Sequence, residues 1–112
     1  MTDQQQPNIR ALPASEAAAR LEEPDALVLD VRTPGEYVQA HLPGAINIDF
    51  YGPTLRQELE ELDRDAPMLL YCRSGQRSGN LHGLLTELGF RDVVDVHGGL
   101  IEWVNAELPV DR

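Results

Sequence analysis

Residues 68–79 read MLLYCRSGQRSG and join a short apolar run to a glycine-containing loop and the start of a helix. The apolar run at 68–71 predicts a strand that is buried on both faces and that delivers Cys72 at its carboxyl end. Leucines at 81, 84, 85 and 88 then predict a helix, which Gly89 ends. A strand followed by a loop and a helix is the basic unit of an α/β protein.

The rest of the chain continues the alternation of strands and helices. Thr33 before Pro34, with Glu36 three positions on, predicts a capped helix start, and Ser15 predicts another. We therefore expect an α/β fold whose mostly parallel sheet opens a ligand crevice beyond the carboxyl ends of its strands. The further predicted strands lie at 27–31, 45–48 and 93–96, and the further predicted helices begin near 15, 33, 54 and 100.

Length and composition indicate one globular domain. The chain has 112 residues, of which 42% are hydrophobic and 25% charged, as in ordinary folded proteins. We predict an N-terminal tail at 1–7 and a single domain at 8–112. The chain has no apolar run long enough for a membrane span and no signal-peptide pattern at its start, so we expect a soluble, cytoplasmic protein.

Charge and cysteine content narrow the classes of function. The formal net charge is −10, and all nine basic residues are arginine. A chain this acidic cannot easily assemble the basic face that binds nucleic acid or anionic membranes. The single cysteine, Cys72, excludes a disulfide within the chain and a cysteine-cluster metal site. We expect no metal and no cofactor.

The loop after Cys72 has the features of a reactive-cysteine site. Backbone N–H groups of such a loop can converge on an anion, and the helix that follows adds partial positive charge, so a thiol there ionises more easily. The 21 residues at 66–86 contain no acidic side chain, and Arg73 and Arg77 are the only charges among them. This window predicts a locally electropositive site around Cys72.

Three motifs resemble those of the rhodanese family, whose members are sulfurtransferases that carry sulfur as a cysteine persulfide. Residues 72–78 (CRSGQRS) resemble the family's active loop. Residues 29–37 (LDVRTPGEY) and 41–48 (HLPGAINI) are similar to its N-terminal signature, and residues 98–103 (GGLIEW) to its C-terminal one. The resemblance implies a rhodanese-like three-layer domain, with a mostly parallel central sheet flanked by helices.

The resemblance also implies a double-displacement reaction. Cys72 would take the outer sulfur of thiosulfate or a persulfide donor and pass it to a thiophilic acceptor such as a thiol or cyanide. A sulfur-carrier or desulfurase protein is a further partner that the resemblance suggests. Both arginines are candidates for holding the anionic donor, and the sequence leaves open which one points inward. The predicted substrate-binding residues are Arg73, Ser74, Gly75, Gln76, Arg77 and Ser78.

Two other functions remain open at this stage. Phosphatases of this fold have five residues between cysteine and arginine, whereas four separate Cys72 from Arg77, so the ring of N–H groups suits a sulfur atom better than a phosphate. A non-catalytic or partner-specific module of the same fold, which relays sulfur or recognises a protein, is the other alternative. Relatives of that kind usually lack the cysteine.

Several polar residues outside the loop are explained by structural roles and need no part in catalysis. Asp30 and Arg32 follow a strand and are predicted to form a structural ion pair near the site. Glu36 is explained by the helix cap. His41 is predicted to be a hydrogen-bonded structural residue, and His82 a surface residue of the helix after the loop.

Overall fold

The computed structural model of the chain describes residues 7–112, so positions 1–6 of the predicted tail lie outside the described residues. The strands are β1 (Asn8–Leu12), β2 (Leu27–Asp30), β3 (Ile46–Asn47), β4 (Met68–Tyr71) and β5 (Asp92–Val96). The helices are α1 (Ala14–Ala17), α2 (Pro34–Gln39), α3 (Leu55–Glu60), α4 (Gln76–Gly79), α5 (His82–Glu87) and α6 (Gly99–Asn105), and a 3₁₀ turn (Ala18–Glu22) follows α1.

The five strands form one parallel sheet in the order β1-β5-β4-β2-β3. The predicted mostly parallel sheet is thus confirmed. β4 lies at the centre, where Leu70 is in register with Leu29 of β2 and with Asp95 of β5. Because the strands are parallel, their carboxyl ends meet at one edge, and the loop after β4 lies there.

Side chains of β4 alternate between the two faces of the sheet, as the pleat requires. Met68, Leu70 and Cys72 belong to the apolar cluster on the face that α3 and α5 cover. Leu69 and Tyr71 belong to the cluster on the opposite face, which α1 and α6 cover. All five are buried, so apolar burial on both faces fixes the strand and the position of Cys72.

The N-terminal segment differs from the prediction in two ways. Strand β1 was not predicted, and it extends the sheet by pairing with β5 at one edge. The predicted Ser15 cap is wrong, because α1 begins at Ala14 after Pro13 and no side chain caps it. Instead the Pro13 carbonyl accepts the backbone N–H of Ala17 at 2.8 Å, so the chain enters the helix one residue earlier.

The region after the Cys72 loop also differs. One helix was predicted from about Ser78 to Leu88, and the structure has two short ones, α4 and α5, with a break between Gly79 and His82. By contrast, the capping box at the start of α2 is confirmed: the Thr33 side chain accepts from the Glu36 N–H, and Glu36 accepts from the Thr33 N–H. In residues 7–112 no helix combines the length and the apolar character that crossing a membrane requires.

Candidate active site

The Cys72 loop, defined as residues 72–78, leaves the carboxyl end of β4 and curls around the sulfur of its own cysteine. Sγ accepts hydrogen bonds from the N–H of Gly75 at 3.1 Å and from the N–H of Ser78 at 3.4 Å. The Ser78 hydroxyl lies 3.4 Å from the same sulfur and 3.3 Å from the Gly75 carbonyl. Donors therefore surround Sγ as the sequence predicts for an ionised thiol.

Two glycines permit the shape of this loop. Gly75 has a φ of +98°, which turns its N–H towards Sγ and which other residues rarely adopt. Gly99 has a φ of +62°, and a Cβ there would collide with the carbonyls of Cys72 and Arg73. Those two carbonyls accept the N–H groups of Leu100 and Ile101 at 2.9 and 3.1 Å. The start of α6 thus holds the loop carbonyls outward and leaves the N–H groups facing the sulfur.

The dipole of α4 stabilises negative charge on Sγ less than the sequence suggested. α4 has only four residues and ends before α5 begins, and a macrodipole needs several aligned peptide units. The short range of its field leaves the direct N–H bonds as the principal support for negative charge on Sγ. Cys72 has no exposed surface, so Sγ is covered in this conformation of the loop.

Arg77 is engaged by an acid from another part of the chain. Its guanidinium makes a bidentate pair with Glu36, with distances of 2.8 and 3.0 Å. The hydrogen bond from Arg77, together with the Thr33 N–H and against an opposing effect of burial, lowers the pKa of Glu36 to about 2. The predicted electropositive window is therefore partly neutralised, since 66–86 lacks acids in sequence but not in space.

Arg73 is exposed, and no salt bridge involves it within residues 7–112. It borders a groove of about 480 Å³ beside the Cys72 loop, which we call the Arg73 groove. The lining includes the following residues: Arg32, Glu36, Arg73, Ile101, Val104 and Arg112. Between the two loop arginines, Arg73 is thus the one free to meet an incoming anion.

Asp30 and Arg32 form a buried ion pair, with a closest distance of 2.7 Å, where the chain leaves β2. The Tyr71 hydroxyl donates to Asp30 at 2.5 Å and accepts the N–H of Leu42 at 3.0 Å. Burial and the bond to Asp30 raise the pKa of Tyr71 above its usual range. The network joins β2, β4 and the chain before β3, so it fixes these three segments relative to one another.

The remaining loop side chains are placed differently from one another. Ser74 and Gln76 are exposed and have no side-chain hydrogen bond among residues 7–112, whereas Ser78 is fully buried against Sγ.

His41 stacks on Tyr37 and bonds to its carbonyl at 2.9 Å, away from the sulfur. No cluster of three or more metal-ligating side chains occurs in the part of the chain that the structure describes.

Sequence reasoning missed two acids near the loop. Glu36 was explained by its cap alone, and its second role needs a contact across 41 positions. Asp95 was not singled out, yet it is buried and bonds to His82 at 2.7 Å, so His82 is partly buried instead of free at the surface. The signal was present in the pattern: His82 follows Ser78 by four positions, and Asp95 lies near the carboxyl end of β5, the strand next to β4.

Comparison with known proteins identifies relatives over most of the chain. The family described as "Rhodanese-like domain" matches residues 13–106. A protein named "Sulfurtransferase" from Allochromatium vinosum is 34% identical over 86 residues, which are 77% of this chain and 78% of that one. A protein named "Thiosulfate sulfurtransferase GlpE" from Tolumonas auensis is 31% identical over 88 residues, covering 79% and 81% of the two chains.

Solved structures show the same fold. The crystal structure of a rhodanese-related protein from Thermoplasma volcanium superposes with a TM-score of 0.79 at 31% identity and covers 91% of this chain and 97% of that one. A thiosulfate sulfurtransferase from Pseudomonas aeruginosa gives a TM-score of 0.76 at 29% identity over 95% of this chain, which corresponds to 20% of that protein.

Proposed function

The chain belongs to the rhodanese-like domain family, and from that premise we propose that it transfers sulfane sulfur through a persulfide on Cys72. The observation that carries the proposal is the set of three donors around Sγ, two backbone N–H groups and the Ser78 hydroxyl. They favour negative charge on the sulfur before reaction. They also suit a persulfide, whose charge lies one atom further out.

In the proposed reaction the Cys72 thiolate attacks the outer sulfur of thiosulfate. A bond forms between Sγ and that sulfur while the sulfur–sulfur bond of thiosulfate breaks, and the bonding electron pair leaves with sulfite. The product is a persulfide on Cys72. A thiol or cyanide then attacks the outer sulfur, and the Cys72 thiolate is regenerated. No oxidant or cofactor is needed, because the electrons balance in both steps.

We assign different roles to the two loop arginines. Arg73 is exposed and forms no salt bridge with the described residues, so it attracts the anionic donor and steadies the departing sulfite. Arg77 is paired with Glu36 in the bidentate geometry that fixes position well, so it holds the loop closed over the sulfur. Gly75 and Ser78 donate hydrogen bonds to Sγ. Ser74 and Gln76 are exposed at the edge of the site, so their side chains contact the sulfur-donating substrate only there.

A phosphatase reaction is disfavoured by the tight loop. The N–H groups of Gly75 and Ser78 already point at a single sulfur atom, 3.1 and 3.4 Å away. A tetrahedral phosphate above Cys72 needs a wider ring of donors. Hydrolysis of an aryl phosphate that depends on Cys72 would reverse this judgement.

A partner-specific sulfur relay is the second candidate function, and the complete burial of Cys72 favours it. A closed loop that opens only against a dedicated protein would accept sulfur from a cysteine desulfurase and not from free thiosulfate. The two functions share the persulfide and differ in the donor. They are separated by offering thiosulfate alone, or a desulfurase with cysteine, and measuring the sulfur gained.

The enzymatic proposal is tested by thiocyanate formation from thiosulfate and cyanide. We expect turnover by the wild-type protein and none by Cys72→Ser, which keeps the size of the side chain but removes the nucleophile. Ser15→Ala is the control, because it removes the hydroxyl of an exposed serine outside the Cys72 loop and is expected to retain the activity. Equal rates for wild type and Cys72→Ser would refute a role for this cysteine.

A further inference from the structure

Asp95 is a buried acid directly behind the Cys72 loop. Only 4% of its side chain is exposed, and its Oδ2 accepts a hydrogen bond from Nε2 of His82 at 2.7 Å. Its Oδ1 is buried and has no hydrogen-bond partner among the described residues. A purely structural carboxylate is normally bonded through both oxygens, because an unpaired buried oxygen costs free energy. Hydrogen bonding within the described residues therefore does not explain why Asp95 Oδ1 is buried.

The sheet places Asp95 on the same face as Cys72. Asp95 is in register with Leu70 of β4, and Cys72 follows Leu70 by two positions, so all three side chains point to one side. Burial raises the pKa of Asp95, and the Ser78 side chain, whose hydroxyl lies 3.4 Å from Sγ, opposes that rise. The thiol and the carboxylate thus share one face of the sheet, with the buried Ser78 near both.

His82 and the back of the loop share a small cavity with Asp95. The cavity, of about 250 Å³, is lined by Ser74 and Gly75 of the loop as well as by His82, Asp95 and His97. His82 is 31% exposed, so water and protons reach it although Asp95 is buried. The histidine is therefore the solvent-accessible partner of the buried carboxylate behind the loop.

We propose that Asp95 and His82 are positioning residues that form a charge-compensating pair and set how readily Cys72 ionises. When His82 is neutral, the Asp95 carboxylate opposes a second negative charge on Sγ. When His82 is protonated, the pair has no net charge and this opposition weakens. Protonation of His82 therefore favours the thiolate.

The other ionisable groups around the carboxylate are few. His97, which follows β5, is exposed and acts on Asp95 through its charge without a hydrogen bond. On the sheet, Leu70 of β4 lies in register with Asp95 on one side and Ala11 of β1 on the other, and neither can ionise. His82 is therefore the group best placed to compensate the buried charge.

The test measures the rate at which iodoacetamide alkylates Cys72 from about pH 5 to about pH 10 and locates the midpoint of that profile. Asp95→Asn is expected to move the midpoint down by about half to one pH unit, because the opposing charge is gone. His82→Gln is expected to move it up by a similar amount, because the carboxylate then stays uncompensated. Such shifts correspond to roughly three- to tenfold changes in rate below the midpoint.

The double variant separates pairing from simple loosening of the loop. With Asp95 replaced, His82 has nothing to compensate, so Asp95→Asn/His82→Gln is expected to match Asp95→Asn. His97→Gln is the matched control, and we expect a smaller shift than for His82→Gln. An unmoved midpoint in His82→Gln, or shifts of both single variants in one direction, overturns the proposal.

The inference rests on the proposed function only in treating Cys72 as the reacting group. Alkylation requires no sulfur transfer, so the pair is tested even if no persulfide forms. Conversely, the persulfide could form normally while the alkylation profiles of wild type, both single variants and the double variant coincide. That result rejects the Asp95–His82 proposal and leaves the sulfurtransferase proposal intact.

Discussion

The reactivity that we expect of the Cys72 thiol depends on hydrogen bonds to Sγ more than on a neighbouring cation. Hydrogen bonds to a charged group contribute about 1.5 to 3 kcal/mol each, and Gly75 and Ser78 supply N–H groups to Sγ. Arg77, which belongs to the same loop, is committed to Glu36, so most of its charge is already compensated. The geometry of the loop backbone is therefore the main reason that we expect this thiol to be reactive.

Arg73→Ala is expected to raise the KM for thiosulfate roughly 5- to 150-fold, which corresponds to a lost contact of about 1 to 3 kcal/mol. The KM for an uncharged persulfide donor should change little, because that donor has no anionic group to meet the guanidinium. Steady-state kinetics with both donors measures the difference. Arg64→Ala removes the charge of another exposed arginine, and an equal effect there would contradict a specific role for Arg73.

At the scale of elements, three contacts hold the Cys72 loop. β4 fixes its first residue, the start of α6 takes the carbonyls of Cys72 and Arg73, and α2 holds Arg77 through Glu36. Each contact comes from a different part of the chain. The loop is therefore shaped by the whole sheet edge and not by its own sequence alone.

The contact between α2 and the loop is expected to depend on pH. The pKa of Glu36 is lowered to about 2, so the pair's stabilisation is fully present above the ordinary carboxyl range near 4.5 and is lost as the pH falls towards 2. At neutral pH we expect Glu36→Gln to reduce the unfolding free energy by about 1 to 2 kcal/mol, since partial exposure weakens the pair.

Urea denaturation at about pH 6 and about pH 3 measures this dependence. The stability difference between wild type and Glu36→Gln should shrink at the lower pH, whereas the exposed control Glu22→Gln should show little difference at either pH. A difference that stays constant would mean that Glu36 acts through packing or capping and not through its charge.

The contact between α6 and the loop is expected to fail when Gly99 is replaced. Gly99→Ala places a Cβ against the carbonyls of Cys72 and Arg73 at a φ of +62°, so we expect a loss of about 2 kcal/mol or more together with slower alkylation of Cys72. Gly83→Ala is the control: no atom lies within 4 Å of its Cβ, and a helical alanine should be neutral or stabilising. Equal stability of the two variants would contradict the close approach.

Local patterns predicted most of the fold. The buried strand β4, the capping box of α2 and the parallel sheet follow from apolar runs, Thr33, Glu36 and the alternation of elements. The edge strand β1 did not, because its sequence is short and its pairing partner β5 lies more than 80 positions away. The pair Glu36–Arg77 was missed for the same reason, since its partners lie 41 positions apart. His82 and Asp95 lie only 13 positions apart, and that pair was missed because Asp95 was not singled out.

For the whole molecule, net charge and local charge act against each other. The net charge of −10 repels a dianion at long range, whereas Arg73 attracts it at short range. The family match at 13–106 lies within the domain that we propose at 8–112, so both charges belong to one compact unit. The Cα radius of gyration of this unit is 13.2 Å, which exceeds the screening length of about 8 to 10 Å. Salt therefore weakens the repulsion by distant charges more than the attraction by Arg73.

Moderate salt is therefore expected to leave the KM for thiosulfate unchanged or to lower it, because screening weakens the distant repulsion more than the close contact. Initial rates at about 20 mM and about 200 mM of an inert salt measure the effect, with the uncharged persulfide donor as the control. A clear rise in KM with salt would show that the attraction of the arginines, and not the repulsion of the whole protein, dominates capture.

The central claim is that Cys72 carries sulfur, and intact-mass measurement after exposure to thiosulfate or to a desulfurase with cysteine tests it most directly. We predict a gain of one sulfur atom that is located at Cys72, is removed by cyanide with release of thiocyanate, and is absent in Cys72→Ser. An unchanged mass with every donor, while iodoacetamide shows that the thiol is reactive, would contradict the claim.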